Sequence, residues 1–522
     1  MSISALSPAQ IATLPATTIG SLSTTDLSSL AATQVAAIST SGIGALASTQ
    51  IAAISTTAVK GLTAAQIPSL ATNVLFSATQ LQQLSSAQIH ALNTTEAALL
   101  NTTEVSQLSA AQAAGLTATQ INNLSGTNIT YLSTTAVHAL TPAVIGGLGT
   151  NVNALTNGQV AALTGTELAS LTTTQLGGTT TTFIAALNTT ELGELTGTQV
   201  NALGTTNIGA LATSLAAGLT STQVGGLTTT TLTALGTTEL DALSTTQVKG
   251  LTSTQVGALG TNVNILTTTQ IHSLNATQLA GLTTTQLGGT TTTFIAALTT
   301  TQLGQLSGAQ VNGLGTTNIG ALATSLAGGL TSTQVGGLTT TTLTALGTTE
   351  LDALTTTQVK GLSSTQVGAL GTNVNTLTTT QIHSLSATQL GGLSTTQLGG
   401  TTTTLIAALT TTQLGQLAGT QVNALGTTNI GALATSLAAG LTSTQAASLT
   451  STSLTALGTT ELDALNTTQI RGLSTTTLNA GGTTLLSAMT TTQLGEFTTT
   501  QIQGLTTTVI DGLTTTQIGY LA

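Results

Sequence analysis

The side chains that could act as acids, bases or nucleophiles are few and scattered along this chain. Its 522 residues include 14 acids, four Lys or Arg, four His and no Cys, and only 3% of the residues are charged. General acid–base catalysis needs such groups to converge on a pocket, and a calcium site needs clustered oxygen ligands. No Ser lies in a G-x-S-x-G motif. The sequence therefore predicts a protein that is not an enzyme, with no cofactor and no metal site.

The charged residues that do form a pattern recur at a fixed interval along the chain. Each occurrence places two acids close together and a base one octad after the second acid. The nine residues are Glu239, Asp241, Lys249, Glu350, Asp352, Lys360, Glu461, Asp463 and Arg471. One interpretation is an exposed ion-pair cluster, worth about 0–1 kcal/mol. The sharper hypothesis makes these residues candidate lateral ion-pair contacts between neighbouring molecules.

Net charge and hydropathy exclude two classes of partner. The formal net charge is −10, and the only bases are Lys60, Lys249, Lys360 and Arg471. Without a basic stripe, nucleic-acid binding lacks its electrostatic contribution, so we expect none. No apolar run approaches the ~18 residues that span a bilayer, so we expect no membrane insertion. The N-terminal residues lack the pattern of a signal peptide, which leaves a cytoplasmic filament or signal-less export to the surface as alternatives.

Leu recurs at every eighth position over long stretches, for example from Leu203 to Leu259. With this Leu as position 1, the octad is L-[ST]-x-x-Q-[ILV]-x-x, and about 64 such units fit in the chain. The apolar spacing of five and three does not match the alternation of a half-buried strand. It does not match a continuous helix either, because an octad at about 100° per residue drifts by about 80° per repeat.

The octad does match the start of a short helix. Ser or Thr at position 2 and Gln at position 5 form a capping box, and positions 1 and 6 form the accompanying hydrophobic staple. Each octad is then one helix of about one and a half turns, too short to be stable alone. Stacking of neighbours must stabilise it. The predicted fold is all-α, a solenoid of very short capped helices with one helix per eight-residue repeat.

A β-solenoid with Thr-rich faces is the alternative fold. Thr, Ile and Val favour strands, and Gly suits the corners between strands. The abundance of Leu, Ala and Gln and the lack of alternation favour the helical solenoid, and the alternative stays open at this point.

The L-[ST]-x-x-Q-[ILV] pattern resembles that of bacterial Thr/Ser-rich octapeptide-repeat proteins. The resemblance extends over the whole chain and is compositional. It implies a low-complexity solenoid of the adhesin-like or filament-forming kind.

A longer repeat is superimposed on the octads. Heptads of the form LGTNVNx begin at Leu148, Leu259 and Leu370, which are evenly spaced. One heptad and 13 octads fill the interval from one start to the next. The predicted organisation is one continuous solenoid. It consists of octads without a clear long copy at 1–147, three long copies at 148–258, 259–369 and 370–480, and terminal octads at 481–522.

Each long copy contains one octad that breaks the rule. The sequence TTTTFIAA occupies 179–186 and 290–297, and TTTTLIAA occupies 401–408. Thr replaces the Leu of position 1, and Phe or Leu replaces the Gln of position 5; a similar exchange occurs at 481–485. We expect the displaced large side chain to fill the space of the missing Leu and the helix cap to be looser there. These candidate packing joints are Thr179, Phe183, Thr290, Phe294, Thr401, Leu405, Gly481 and Leu485.

Composition and repetition together favour a structural role. A surface with little charge promotes association, and neither terminal segment has the polar pattern of a capping repeat, so the ends could stack in an open chain. The leading hypothesis is a structural protein whose partner is itself, assembling head to tail and laterally into filaments, bundles or sheets (a fibre, sheath or cytoskeleton-like belt). The alternatives are a secreted or cell-surface adhesin or biofilm-matrix protein, with carbohydrate as ligand, and ice binding through Thr rows.

Overall fold

The computed structural model describes residues 3–70 and 76–521, and every regular element in these ranges is a helix. All but one are three to six residues long. The exception, Thr475–Ala488, spans a kink at Gly482, whose φ of 62° is left-handed. The predicted all-α solenoid of short helices is confirmed, and the β-solenoid alternative is wrong because the described residues contain no strand.

The chain divides into two compact units, Met1–Ser273 and Leu274–Ala522. The 3-10 helices of the first unit are Ile3–Ala5, Val59–Gly61, Ile67–Ser69, Gly149–Ala154 and Gly260–Ile265. Its α-helices are Pro8–Ala12, Ala16–Gly20, Thr24–Ser28, Ala32–Ala37, Thr40–Gly44, Ser48–Ala53, Ala78–Leu81, Ser86–Ala91, Thr94–Ala98, Thr102–Ser106, Ala110–Ala113, Ala118–Asn123, Gly126–Thr130, Thr134–His138, Pro142–Gly146, Asn157–Val160, Gly165–Ala169, Thr173–Gly177, Thr181–Ala185, Thr189–Glu194, Gly197–Ala202, Gly204–Gly209, Thr213–Ala216, Ser221–Gly226, Thr229–Ala234, Thr237–Asp241, Thr245–Gly250, Ser253–Ala258 and Thr268–Ser273.

The second unit has the same kind of elements. Its 3-10 helix is Gly371–Thr376. Its α-helices are Ala276–Ala280, Thr284–Gly288, Thr292–Ala296, Thr300–Gln305, Gly308–Gly313, Gly315–Gly320, Thr324–Ala327, Ser332–Gly336, Thr340–Thr344, Thr348–Asp352, Thr356–Gly361, Ser364–Ala369, Thr379–Ser384, Ala387–Gly391, Thr395–Gly399, Thr403–Ala407, Thr411–Gly415, Gly419–Ala424, Gly426–Gly431, Thr435–Ala438, Ser443–Ser448, Ser451–Ala456, Thr459–Asp463, Thr467–Gly472, Thr475–Ala488, Thr491–Leu494, Thr499–Gln503, Thr507–Asp511 and Thr515–Tyr520. The boundaries of the long copies stay a prediction from the sequence.

The helix Thr245–Gly250 shows how one octad folds. Ser244 is the N-cap, and its hydroxyl accepts a hydrogen bond from the backbone N–H of Gln247 at 3.3 Å. Gln247 Oε1 accepts in return from the backbone N–H of Ser244 at 2.7 Å, which completes the capping box. The helix ends at Leu251, which is extended and donates its N–H to the carbonyl of Val248. Leu251 therefore ends one helix and immediately precedes Thr252, the N-cap of the next.

Successive turns of the solenoid are three octads long. In the first unit Ser221–Gly226 packs on Thr245–Gly250, and in the second unit Ser332–Gly336 packs on Thr356–Gly361. In both pairs the partners are three helices apart, and the same relation recurs along each unit. Three octads per turn give three stacks of helices in each unit, a number that the sequence leaves open.

The core of each turn consists of positions 1 and 6. Leu243 is 3% exposed and Val248 is 0% exposed, and the equivalent aliphatic residues are buried along both units. Burying one such side chain stabilises the fold by about 1.5–3 kcal/mol. The repeated pair therefore supplies the stabilisation that a single short helix lacks. The side chains of Asp241 and Lys249, at position 7, are exposed. Positions 1 and 6 therefore face inward and position 7 faces outward, as the repeat pattern predicts.

Candidate functional site

A buried Gln at position 5 links its turn to the turn before it. Gln247 is 3% exposed, and its Nε2 donates to the carbonyl oxygens of Ala216 at 3.1 Å and Leu219 at 2.6 Å. In the second unit, Gln469 makes the equivalent bonds to Ala438 at 3.0 Å and Leu441 at 2.5 Å. We call this repeated arrangement the cross-turn Gln ladder. It gives one side chain two roles, since the Oε1 atom caps its own helix and Nε2 binds the preceding turn.

The cross-turn Gln ladder provides hydrogen-bond donors for carbonyls at the ends of the short helices. The last carbonyls of a helix have no partner within it, and a buried carbonyl without a partner costs about 1–3 kcal/mol. The extended Leu of position 1, such as Leu227, places its carbonyl where only the next turn can reach it, and Gln255 of that turn binds it at 2.8 Å. The sequence pattern identified this Gln as a cap alone. Its second role was missed because a polar residue gives no sequence signal of burial.

The candidate packing joints place their large side chains in the interior. Phe183 is 4% exposed, Phe294 2%, Leu405 4% and Leu485 1%. Thr179, Thr290 and Thr401, which take the place of Leu, are buried as well, each at 8% exposure. Their hydroxyls donate to the carbonyls of Leu176, Leu287 and Leu398, each at 2.6 Å. At 475–488 the exchange of Gly481 and Leu485 lies inside the kinked helix.

The helix cap at a packing joint is completed by an Asn of the preceding turn. Thr180 is the N-cap at the first joint, and its backbone N–H donates to Oδ1 of Asn153 at 3.2 Å. The Nδ2 of the same Asn donates to the carbonyl of Gly178 at 2.7 Å. Asn375 makes the same pair of bonds, with Thr402 and Gly400, at a joint of the second unit. The expected loose cap is therefore replaced by a cap supplied from the preceding turn.

The Asn cap also occurs where Thr or Ser replaces the Gln of position 5. Asn423 Oδ1 accepts from the backbone N–H of Thr450 at 3.0 Å, and its Nδ2 donates to the carbonyl of Ser448 at 2.7 Å. Position 5 of that octad is Ser453, whose side chain does not reach back to the N-cap backbone. An Asn at position 7 thus accompanies a missing Gln in the following turn. This relation is present in the sequence, but the octad rule alone did not reveal it.

Replacing Asn423 by Ala should destabilise the second unit by about 1–3 kcal/mol, since each of the two lost hydrogen bonds contributes about 0.5–1.5 kcal/mol. The measurement is hydrogen exchange of the helix Ser451–Ala456, compared between the parent and Asn423→Ala. In a Ser453→Gln background the new Gln can accept from Thr450 N–H, so the same Ala substitution should cost less. An equal loss in both backgrounds would contradict the proposed exchange of caps.

The three joints at Thr179, Thr290 and Thr401 have a further member one turn later. Asn207 stands where Gln is expected, is 5% exposed and donates from Nδ2 to the carbonyl of Thr179 at 2.9 Å. Asn318 and Asn429 bind Thr290 and Thr401 in the same way at 3.1 and 3.0 Å. A residue type one methylene shorter than Gln thus accompanies the smaller residue at position 1. Each of these joints therefore combines residues of consecutive turns that all depart from the octad pattern.

The acidic residues of the long repeat do not form the exposed ion-pair cluster. Glu239, Glu350 and Glu461 are half-buried, and each accepts a hydrogen bond from a Thr hydroxyl of the preceding turn. The Asp of each copy is exposed, as are Lys249, Lys360 and Arg471. Over residues 3–70 and 76–521 the one ion pair within 4.0 Å joins Arg471 to Glu496, at 2.9 Å. The cluster interpretation is wrong, and lateral contact between molecules stays a prediction.

Equivalent residues of successive copies lie on different sides of the solenoid. In the second unit, the helices Thr348–Asp352 and Thr459–Asp463 are 14 steps apart in the order of helices. Twelve steps complete four turns of three helices, and the remaining two steps lead to a different stack. Asp352 and Asp463 therefore point in different directions, although they occupy the same place in successive long copies. The long repeat does not build one row of charges along one face of this unit.

The described part of the chain has no group of three or more acids or His that could hold a metal ion. A cavity of about 250 Å³ lies beside the heptad that begins at Leu148, lined mainly by Gly146, Gly147, Gly149 and Thr residues. Its lining contains no ionisable side chain.

Among the helices described, none is long and apolar enough to cross a membrane.

Comparison with known proteins gives a limited result. A family model described as the ALTTAQ repeat matches residues 230–261. No curated protein matches the chain. A solved structure titled "Structure of APUM23-GGAAUUGACGG" is 12% identical, with 85% of this chain and 89% of that chain covered, and has a TM-score of 0.16. With the octads and the stacked short helices, these findings show a Thr/Ser-rich solenoid repeat protein that contains a match to the ALTTAQ repeat.

Proposed function

We propose that this protein is a non-enzymatic structural protein that assembles with copies of itself into filaments, bundles or sheets. The observation that carries the proposal is the nature of the exposed surface. The octads bury positions 1, 5 and 6 and present uncharged residues to solvent, as at 283–285 and 410–412, where three consecutive Thr are exposed. With 3% charged residues in the whole chain, this surface carries few charges and is rich in hydroxyl groups.

The sparsely charged surface favours association for two physical reasons. Molecules with little charge repel each other weakly, and low surface charge promotes association. Each Thr hydroxyl is both a donor and an acceptor, so two such faces can form hydrogen bonds in many relative positions. Because equivalent residues point in different directions within the second unit, contacts of one type can form on more than one side. These features support lateral bundling better than a single flat interface.

The proposal predicts assembly of the purified protein without any ligand. We expect sedimentation velocity to show growth of large species as concentration increases, and negative-stain electron microscopy to show filaments or bundles. A protein that stays monomeric at high concentration would overturn the proposal.

Ionic strength distinguishes contacts between Thr hydroxyls from contacts between charged side chains, because salt screens exposed charges. Hydroxyl contacts should persist at high salt, whereas lateral contacts through Asp352, Asp463 and the bases should weaken.

The variant Asp241→Asn/Asp352→Asn/Asp463→Asn tests the charged contacts directly. All three Asp side chains are exposed and none has a hydrogen bond within the described chain, so the fold should not change. If these residues are lateral contacts, assembly should become weaker and less dependent on salt. If the contacts are made by Thr hydroxyls, assembly should stay the same or increase slightly as net negative charge falls.

An adhesin or matrix protein that binds carbohydrate is the second candidate. Clefts of about 480 and 510 Å³ lie at two packing joints of the second unit, and both are lined chiefly by Thr, Gly and one Asn. Asn318 and Asn429 line these clefts, and no hydrogen bond within the described chain is accepted by their Oδ1 atoms. Hydroxyl and amide groups of this kind suit neutral sugars. Binding to glycans by a protein that does not assemble would favour this candidate.

A further inference from the structure

Glu96 is an exception in the cross-turn Gln ladder. It lies at position 5 of its octad in the helix Thr94–Ala98 and is 5% exposed. Its Oε2 accepts from the backbone N–H of Asn93 at 2.8 Å, as a capping Gln would. Its Oε1 is buried and has no hydrogen-bond partner, and no other side-chain oxygen or nitrogen in the described ranges shares that condition. An acceptor therefore occupies the place where the ladder requires a donor.

The neighbouring Gln residues show which carbonyls this place serves. Gln80 Nε2 donates to Ile54 O at 2.8 Å and to Ile51 O at 2.9 Å, which are 26 and 29 residues earlier. Gln88 Nε2 donates to Leu62 and Val59 with the same two separations. The same register assigns Leu70 and Ile67 to Glu96. A carboxylate has no hydrogen to donate to either carbonyl, but a protonated carboxyl has one.

We propose that Glu96 forms a proton-dependent link between two turns of the first unit. With a proton on Oε1, the carboxyl donates to the carbonyl of Leu70 while Oε2 continues to accept from Asn93. When the proton leaves to solvent, the link is lost, and a negatively charged oxygen faces carbonyl oxygens in a buried place. Such a charge is costly because it is neither solvated nor paired.

The electrostatic surroundings agree with a proton on this group. Burial raises the pKa of the Glu96 carboxyl, and the hydrogen bond from the Asn93 backbone only partly offsets that rise. The helix Ala118–Asn123, which packs on this octad, carries no ionisable side chain, and neither do residues 67–75 in the sequence. The flanking helices carry His90, which is exposed and contacts Gly115 O, and Glu104, which caps its own helix. No base among them pairs with Glu96.

The sign of the pH dependence follows from linkage. Because the pKa of Glu96 is higher in the folded than in the unfolded chain, the folded state binds the proton more tightly. The stabilisation is complete below the unfolded value of about 4.3 and is lost as the pH rises through the folded value. Between the two values, local opening should become more favourable by up to about tenfold per pH unit. We therefore expect the turns joined at Glu96 to be tighter in acid than at neutral pH.

The test compares the wild type with Glu96→Gln, which restores the amide of the ladder, and with Glu194→Gln, which removes an exposed acid of the same unit. Hydrogen exchange, corrected for intrinsic rates, is measured over 62–70 and 93–100 across the pH range. We expect protection in the wild type and in Glu194→Gln to fall as pH rises. Glu96→Gln should keep high protection throughout, because its Nε2 donates at every pH.

Infrared difference spectra give a second measure that does not depend on local stability. The wild type minus Glu96→Gln spectrum should contain the stretch of a protonated carboxyl that titrates with a midpoint above about 4.3, the ordinary value for Glu. An ordinary or lower midpoint for Glu96, or identical pH profiles of exchange in the wild type and Glu96→Gln, would overturn the proposal.

Discussion

Truncation of Phe183 to Ala should lower the free energy of unfolding of the first unit by about 3–5 kcal/mol, as for other buried Phe residues. The side chain is 4% exposed and stands in an octad that has Thr179 where Leu is the rule. Phe183 and Ile184 are therefore the two large apolar side chains of that octad, as Leu and an aliphatic residue are in its neighbours. Removing the ring leaves both position 1 and position 5 small, and the surrounding short helices are held mainly by contacts between turns. We expect a cavity that the fold closes only in part.

The matched control for this prediction is Phe183→Leu, because Leu405 occupies the equivalent joint of the second unit at 4% exposure. A substitution between apolar residues of similar size costs less than about 1.5 kcal/mol. Hydrogen exchange of the helices Thr181–Ala185 and Asn157–Val160 is the appropriate measurement, since the stability of a solenoid is distributed over neighbouring repeats. Equal effects of Ala and Leu would show that the joint does not depend on the volume of this side chain.

The local structure of an octad could be predicted from its own residues. Ser244 and Gln247 carry the capping box, while Leu243 and Val248 carry the staple, so a single octad contains the information for one helix. The number of octads per turn could not be predicted in this way. It depends on bonds such as that from Gln247 to Leu219, which join residues 28 apart. Nothing within one octad specifies that separation along the sequence.

The candidate packing joints show a second limit of local patterns. Phe183 was expected to fill the space of a missing Leu, and its burial agrees with that expectation. The loose cap was expected because the capping partner is absent from the same octad. Asn153 supplies that partner from the preceding turn. A search for exceptions that recur together in adjacent turns would have found the pair, since Asn201, Asn312, Asn423 and Asn479 follow the same rule.

Charge was the least informative feature of the sequence. Glu239 and Lys249 suggested an ion pair because they recur together, yet Glu239 instead accepts from Thr213. The Glu at position 5 follows the inward direction of the ladder, whereas the Lys at position 7 follows the outward direction. Recurrence in every long copy reflects duplication of the sequence. It carries no information about which side of the solenoid a residue occupies, because the 14 helices of one copy are not a whole number of turns.

Replacing Gln247 by Leu should cost about 2–6 kcal/mol, because two backbone groups lose their partners and each buried unpaired group costs about 1–3 kcal/mol. The first group is the Leu219 carbonyl, which accepts from Gln247 Nε2 at 2.6 Å. The second is the N–H of Ser244, which donates to Gln247 Oε1 at 2.7 Å. Leu is close to Gln in size and more hydrophobic, so a loss of stability would isolate the hydrogen bonds from packing.

Two further variants separate the contribution of the cap from that of the link between turns. Gln247→Glu keeps an acceptor for Ser244 and removes the donations of Nε2 to the preceding turn, so its cost should approach that of the Leu variant at neutral pH. Gln517 caps its own helix by accepting from Thr514 at 2.9 Å and makes no cross-turn bond within the described chain. Gln517→Leu should therefore cost about 1 kcal/mol or less, the value of one modest hydrogen bond. If Gln247→Leu and Gln517→Leu cost the same in urea denaturation followed by circular dichroism, the bonds between turns do not stabilise the solenoid, and capping within each octad would have to account for its stability.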